Sequence, residues 1–481
     1  MSPARRALPR AAASAAAAAG VALAIFAWFG RAPLNYDTFY ALVWGGDLLH
    51  GRTPQYGVPV APTPHPLAVL AGMPASLFGD GGVDVMIGLA VLAIGFLVVG
   101  LFRLGTELFG RPVGLLAAAI FATRVPPLDF GIRGYVDLPA VAFVVWAAVL
   151  EARRPRRGAP VLVLLALAGL LRPEAWLYAG AYWLWLLPAR DWRGRGRALV
   201  LVGAAPAIWA ISDLAITGDA LWSFHGTHDL AAHFARERGL SHVPSVLRER
   251  LGITMRAPEL IAAAVGLVGG LALRPLRRRS ALPAAVGALN GVAFLVLAAA
   301  GLSLLGRYLF LAAAMLSLFA AVGLLGWTAL PTMRASKWLW AVAGAAGLVV
   351  IALFFVAQQV DRLDGLRDQV RAQQAVQAGL RDVVRNAAAR RALDRCGTPF
   401  VTNHWPVPQL AYWTERRPAT IADAADRRPA TGGVFIAPGN ASAARIAVLD
   451  PHDPSATRTP PPGYRQVARN GSWVVYAGCR G

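Results

Sequence analysis

The sequence predicts an all-α polytopic membrane protein of about eleven transmembrane helices, with a small C-terminal extracytoplasmic α/β domain. Three observations predict it. Only 15% of the 481 residues are charged and 56% are hydrophobic, whereas a soluble globular chain is nearer to about 25% charged. So little charge cannot cover a soluble surface, and disorder needs the opposite composition. Apolar windows recur along residues 11–357, and beyond them the chain turns polar.

In chain order the windows fall at 11–30, 83–102, 112–125, 138–151, 159–171, 174–189, 198–216, 259–273, 281–301, 308–328 and 338–357. A span needs about 20 apolar residues, and several windows are shorter. The first follows Arg5, Arg6 and Arg10. Its length, with no A-x-A site before Arg31, fits an uncleaved anchor better than a signal peptide. The long first loop, 31–82, should hold an amphipathic helix over 37–50. Its apolar run at 66–78 is short and interrupted by Pro74, which suits a helix lying in the interface. Residues 159–189 are one apolar stretch broken by Arg172-Pro173-Glu174. A proline and two charges suit a turn better than a bilayer centre, so a hairpin is expected there rather than a single helix.

Charge sets the expected topology. With the N-terminus cytoplasmic, the inner segments carry 19 basic residues against Glu107, Glu151 and Asp191, while the opposite loops are near neutral; short basic loops favour the cytoplasm. An odd number of spans then puts the C-terminus outside. The chain divides into a transmembrane domain, 1–357, and an extracytoplasmic soluble domain, 358–481. Residues 358–395 read as a solvated helix leaving the membrane. Phe400–Val401, Val434–Ile436 and Trp473–Tyr476 read as short strands, the last after the hairpin signal Asn470-Gly471. Cys396 and Cys479 are too few for a zinc or iron–sulfur scaffold. In an oxidising compartment they pair and tie the domain's ends together, a closure of about 4–5 kcal/mol in the chain-entropy model; otherwise they are two free thiols. The net charge of +21 is almost all arginine, since Lys337 is the one lysine. Topology accounts for most of it, so no nucleic-acid partner is expected.

Ionisable groups at a membrane boundary are costly. Here they collect in outer loops far apart in sequence: Asp37 and His65; Arg133 and Asp137; Arg172 and Glu174; Asp219, His225, His228, Asp229 and His233; and Arg307. The histidine run either ligates metal or lies on a solvated interfacial helix, and its spacing matches no zinc signature. No metal residues are assigned, although a divalent cation remains a candidate cofactor. Neither a Walker loop nor a Rossmann fingerprint occurs.

The order of these motifs resembles the GT-C superfamily of polytopic glycosyltransferases, in particular its actinobacterial, protein-O-mannosyltransferase-like and mannosyl- or arabinofuranosyltransferase groups. The residues that carry it are Asp37 after the first span, Gly51-Arg52-Thr53-Pro54 followed by His65-Pro66-Leu67, and the segment 131–137 before a span. Leu171-Arg172-Pro173-Glu174-Ala175-Trp176 and Gly306-Arg307-Tyr308-Leu309 complete the set. The resemblance covers residues 1–357. It implies a cell-envelope transferase that moves a monosaccharide from a polyprenyl-phosphate sugar donor to a glycan, lipid or protein acceptor, amid membrane lipids.

By position in that pattern Asp37 is the general base, its alternative being a helix N-cap. Asp137 is a second acid that orients the acceptor or a metal, or again a cap before Leu138-Pro139. Arg172 and Arg307, with Arg133 as a third, match a lipid phosphate or snorkel to headgroups. Glu174 pairs with Arg172 or caps the next helix, and His65 faces substrate or packs its loop. The competing functions are a transporter or lipid-linked sugar flippase, which requires charges near mid-bilayer and an internal repeat, and a non-catalytic assembly or sensor protein.

Overall fold

A computed structural model describes residues 3–330, 335–424, 432–447, 459–460 and 462–479. In chain order the helices are α1 (Pro3–Phe29), α2 (Tyr36–Leu49), α3 (Pro66–Ser76), α4 (Gly81–Phe109), α5 (Arg111–Ala122), α6 (Val125–Ile132), α7 (Asp137–Arg153), α8 (Ala159–Gly169), α9 (Ala175–Leu186) and α10 (Trp192–Thr217). They continue as α11 (Trp222–His233), α12 (Val243–Ala272), α13 (Arg274–Ala299), α14 (Phe310–Leu325), α15 (Ala335–Phe354), α16 (Val356–Arg385), α17 (Ala387–Arg395), α18 (Val407–Thr414) and α19 (Ala441–Ala447). The strands are β1 (Pro399–Val401), β2 (Ala422–Asp423), β3 (Val434–Pro438), β4 (Arg465–Arg469) and β5 (Trp473–Ala477).

The protein is a polytopic helical membrane protein with a small C-terminal sheet. Among the described residues seven helices are long and apolar enough to cross a membrane, or eight if the α5–α6 pair, bent by 67°, is one span. The windows at 138–151, 159–171 and 174–189 become α7, α8 and α9, of 17, 11 and 12 residues. Length alone therefore supports fewer than the eleven full spans expected. The interruption at Arg172-Pro173-Glu174 is the turn between α8 and α9. The apolar run at 66–78 forms a helix, α3, of 11 residues with Pro74 inside it.

The described chain forms two compact units. The first comprises Met1–Trp28, Gly88–Ile211 and Arg236–Leu366. Its centre is α14, uncharged and apolar all round, with Phe310, Leu311, Leu318, Phe319 and Val322 buried. Leu97, Leu101 and Leu104 of α4 and Val113 and Phe121 of α5 share that core. Small residues let α12 and α14 touch backbone to backbone: a Cβ at Gly266 or Gly323 would strike the Phe319 or Ala262 carbonyl. Gly323→Val should therefore destabilise by about 1–3 kcal/mol as the helices are forced apart, measured as a lower unfolding midpoint in detergent.

Two polar devices shape this unit. Glu151, buried near the end of α7, accepts from Tyr182 Oη, Trp185 Nε1 and Arg156 N, each at 2.8 Å, which fixes the α7–α8 link. Between α5 and α6 the chain breaks at Arg124. Its Nη1 donates to Glu259 Oε1 at 2.6 Å, with the two side chains 5% and 7% exposed. Glu259 follows a break in α12 at Arg256, whose φ of 53° is left-handed, and Pro258 lies within the same turn. Gln359, at the start of α16, donates to Thr123 O at 2.6 Å, so three broken or newly started helices meet at one ion pair.

The second unit comprises Phe29–Ile87, Ser212–Ala235 and Arg367–Gly481, drawing residues from both sides of residue 357. Its sheet has the order β2-β1-β3-β5-β4. β1 runs parallel to β2 and β3, and β5 runs antiparallel to β3 and β4. The β4–β5 hairpin turns at Asn470-Gly471, as the sequence predicts. Asn470 Oδ1 accepts from Ser472 N and Trp473 N. Cys396 and Cys479 are bonded with their Cα atoms 5.2 Å apart. Core residues include Leu380, Leu393, Val401, Ile436, Trp473 and Val475.

The first loop belongs to this unit. α2 packs on α3 and on α18, with the Phe39 ring 5.4 Å from Trp413. Arg417 Nη2 donates to Thr53 O at 2.8 Å, and Ala419 N donates to Gln55 Oε1 at 3.1 Å. In the Gly51-Arg52 motif, Arg52 Nε binds the buried Asp47 at 2.9 Å, a structural use. Asp213, near the end of α10, accepts from Ser223 N and Oγ at 2.8 and 2.9 Å and so holds the start of α11.

Candidate active site

In the first unit the structure gathers side chains from three links of the helical body. Asp137 opens α7. Val136 occupies the N-cap position without a side-chain cap bond, so Asp137 sits in the positive first turn of the helix dipole. It is 3% exposed, with Oδ1 3.3 Å from Arg172 Nη1 and Oδ2 4.0 Å from Arg307 Nε. Arg172, in the α8–α9 turn, also binds Glu174 Oε1. Its Cζ stacks 4.1 Å from the centre of the Tyr308 ring. Burial lowers the proton affinity of Arg172, but the Glu174 and Asp137 carboxylates more than reverse this, and its pKa stands above the ordinary value. It is a permanent cation.

Arg307 lies in the 3₁₀ turn Gly306–Leu309 before α14, its Cζ 5.3 Å from the Tyr135 ring centre. Asn290 of α13 holds that turn in place. It donates to Tyr308 O at 3.1 Å and accepts from Ala312 N at 3.0 Å.

Asp137, Arg172, Glu174, Tyr178, Asn290 and Arg307 line one cavity of about 50 Å³. Two of its carboxylate oxygens, Asp137 Oδ2 and Glu174 Oε2, are buried without a hydrogen-bond donor. A buried acceptor left unpaired costs about 1–3 kcal/mol. The cavity thus offers acceptors that call for ligand hydroxyls beside guanidiniums that suit a phosphate.

The other expected residues lie elsewhere. Arg133 Nη2 binds Asp129 Oδ1 at 2.6 Å, one helical turn away. Asp37 and His65 belong to the second unit. Asp37 is half-buried in the first turn of α2. The cap is Asn35, whose Oδ1 accepts from Thr38 N at 3.0 Å, so the capping alternative for Asp37 is not needed. His65 is buried, and its carbonyl accepts from Ala68 N and Val69 N at 2.9 and 3.0 Å to start α3.

Of the histidine run, His225 pairs with Asp219 at 2.7 Å on an exposed surface. Among the described residues no three His, Cys, Asp or Glu side chains gather as metal ligands. Sequence reasoning passed over Asn290 and Tyr178, although an asparagine inside an apolar helix is the kind of signal that marks a site.

No protein-family model and no curated protein matches the chain. Solved structures do. ArnT from Cupriavidus metallidurans bound to undecaprenyl phosphate is similar with a TM-score of 0.53 at 14% identity, over 96% of this chain and 97% of that one. Its apo state gives 0.54 at 13% identity over the same shares. The Archaeoglobus fulgidus oligosaccharyltransferase tethered with an acceptor peptide gives 0.51 at 12% identity, over 97% of this chain and 74% of that one. At these identities the likeness is one of fold, and it agrees with the architecture that the motif resemblance implies.

Proposed function

We propose that this chain is a membrane glycosyltransferase that moves a monosaccharide from a polyprenyl-phosphate donor to an acceptor hydroxyl on the outer face of the cytoplasmic membrane. One observation carries the reading. Acids and guanidiniums from distant loops converge on one cavity, in a chain whose fold is shared end to end with a protein crystallised with undecaprenyl phosphate.

The chemistry follows from the residue types. The acceptor oxygen bonds to the anomeric carbon while the bond from that carbon to the phosphate oxygen breaks. The hydroxyl proton passes to a carboxylate general base, the part that the motif pattern gives to Asp37, and the electron pair leaves with the polyprenyl phosphate. Arg172 and Arg307 offset the charge that builds on the departing phosphate. Asp137 and Glu174 keep Arg172 aimed, and their unpaired oxygens receive sugar or acceptor hydroxyls. A single displacement inverts the anomeric configuration. Charge bias between the loops supports a cytoplasmic N-terminus. The motif pattern favours mannose or arabinofuranose as the sugar, and a glycan, lipid or protein as the acceptor.

The test uses the full chain in nanodiscs with synthetic polyprenyl-phosphate mannose and polyprenyl-phosphate arabinofuranose. The expected result is release of polyprenyl phosphate together with an inverted glycoside. Intact donor carried across a vesicle membrane, with no phosphate released, would support the flippase alternative and overturn this reading.

A further inference from the structure

The helix start that bears Asp37 is gripped by the C-terminal part of the same compact unit. Gln377 of α16 is buried, 343 residues from its partner. Its Oε1 accepts from Leu34 N at 2.9 Å, and its Nε2 donates to Leu34 O at 2.8 Å. A side-chain amide making both bonds to one residue fixes that residue as a strand neighbour would. Asn35 then caps the helix, and Tyr36 is held on two sides. Its ring meets His404 edge to face at 5.5 Å and Tyr40 at 5.1 Å, while its hydroxyl donates to Val60 O at 2.9 Å.

His404 is itself buried and packs on Phe234 at 5.4 Å. It ends the buried run Thr402-Asn403-His404 that follows β1. That run sits at the carboxyl end of the parallel strands, the edge where open α/β sheets hold ligands. Phe39, two residues past Asp37, is pinned by Trp413. Residues 34, 36 and 39 are thus all held by the tail, which leaves Asp37 little backbone freedom. Burial pushes the Tyr36 phenol well above its ordinary value, and Tyr40 and the carboxylates of Asp37 and Asp423 add to the effect.

We infer that Gln377 and His404 are positioning residues for Asp37, which makes the C-terminal domain a working part of the transferase; the inference rests on the reading of Asp37 as the base. A displacement of about 1 Å in a reacting group costs about 10²-fold in rate. Loss of either grip acts on turnover more than on donor binding.

The experiment measures kcat, KM and unfolding midpoint for wild type, Gln377→Met, Gln377→Glu, His404→Ala, His404→Phe and Asp37→Asn. The donor is whichever of the two synthetic polyprenyl-phosphate sugars the wild type turns over. Gln377→Met and His404→Ala should lower kcat by about 10–10²-fold, with KM changed less than about twofold. His404→Phe keeps a ring against Tyr36 and should recover most of the loss. Gln377→Glu retains the acceptor half of the clamp and should fall between; it also reads the effect if Gln377→Met does not fold. Unchanged kcat in folded Gln377 and His404 variants, with Asp37→Asn inactive, overturns the positioning role and leaves the base reading intact. Equal turnover by Asp37→Asn and wild type overturns both. A fall in kcat that tracks unfolding midpoint, with His404→Phe no better than His404→Ala, also overturns the positioning role.

Discussion

Asp37→Asn should lower transfer by about 10²–10⁴-fold, the usual contribution of a positioned general base, while donor binding is retained. Asparagine has the same shape but cannot take the acceptor's proton. The fold should survive the change, because Asn35 supplies the cap and Gln377 clamps Leu34. The check is polyprenyl phosphate released per enzyme from the donor that wild type uses. Asp137→Asn, measured beside it, should act differently. It leaves Arg172 with Glu174 as its one carboxylate partner, so donor KM should rise along with any loss in kcat. Turnover by Asp37→Asn at the wild-type rate would remove Asp37 as the base.

The second large effect concerns stability. Glu259→Leu strands the Arg124 guanidinium, 5% exposed, without its carboxylate, and breaking a buried pair in this way costs about 3–5 kcal/mol. The damage should be local at first. The pair joins the α5–α6 bend to α12 just past its break at Arg256, and Gln359 at the beginning of α16 bonds the adjacent Thr123. Thermal unfolding in detergent should show a lowered midpoint, and limited proteolysis should cut near residue 124. The double variant Arg124→Leu/Glu259→Leu should recover much of the loss, since two apolar side chains replace the pair without leaving a buried charge. A single variant as stable as wild type would remove the pair from any structural role.

Much of this architecture is legible in the sequence because its signals are local. Apolar windows mark the long helices, and a proline between two charges marks the α8–α9 turn. Asn470-Gly471 marks the hairpin, and the two cysteines mark the closure of the tail. The gathering of Asp137, Arg172 and Arg307 is legible only as an ordering of short motifs, each placed at a helix start or turn. What the residues conceal is pairing across long separations. Nothing in the polar helix around Gln377 distinguishes it from the neighbouring glutamines, Gln373 and Gln374, and only the folded chain sets it against Leu34. Apolar windows count α7, α8 and α9 as spans, and their lengths of 17, 11 and 12 residues lie at or below the about 17–25 residues of a usual span. Arg124 and Glu259 each read as stray charges at the edge of a window until the bends in α5–α6 and α12 bring them together.

The Leu34–Gln377 clamp also dictates an order of events during biogenesis. Ribosomes add about 5–20 residues per second, so the 343 residues between the partners take on the order of 20–70 s to synthesise. Throughout that interval the nascent first loop has left the ribosome without the segment that completes it. A premature stop codon before Gln377 should therefore yield membrane-inserted chains whose first loop stays protease-sensitive indefinitely.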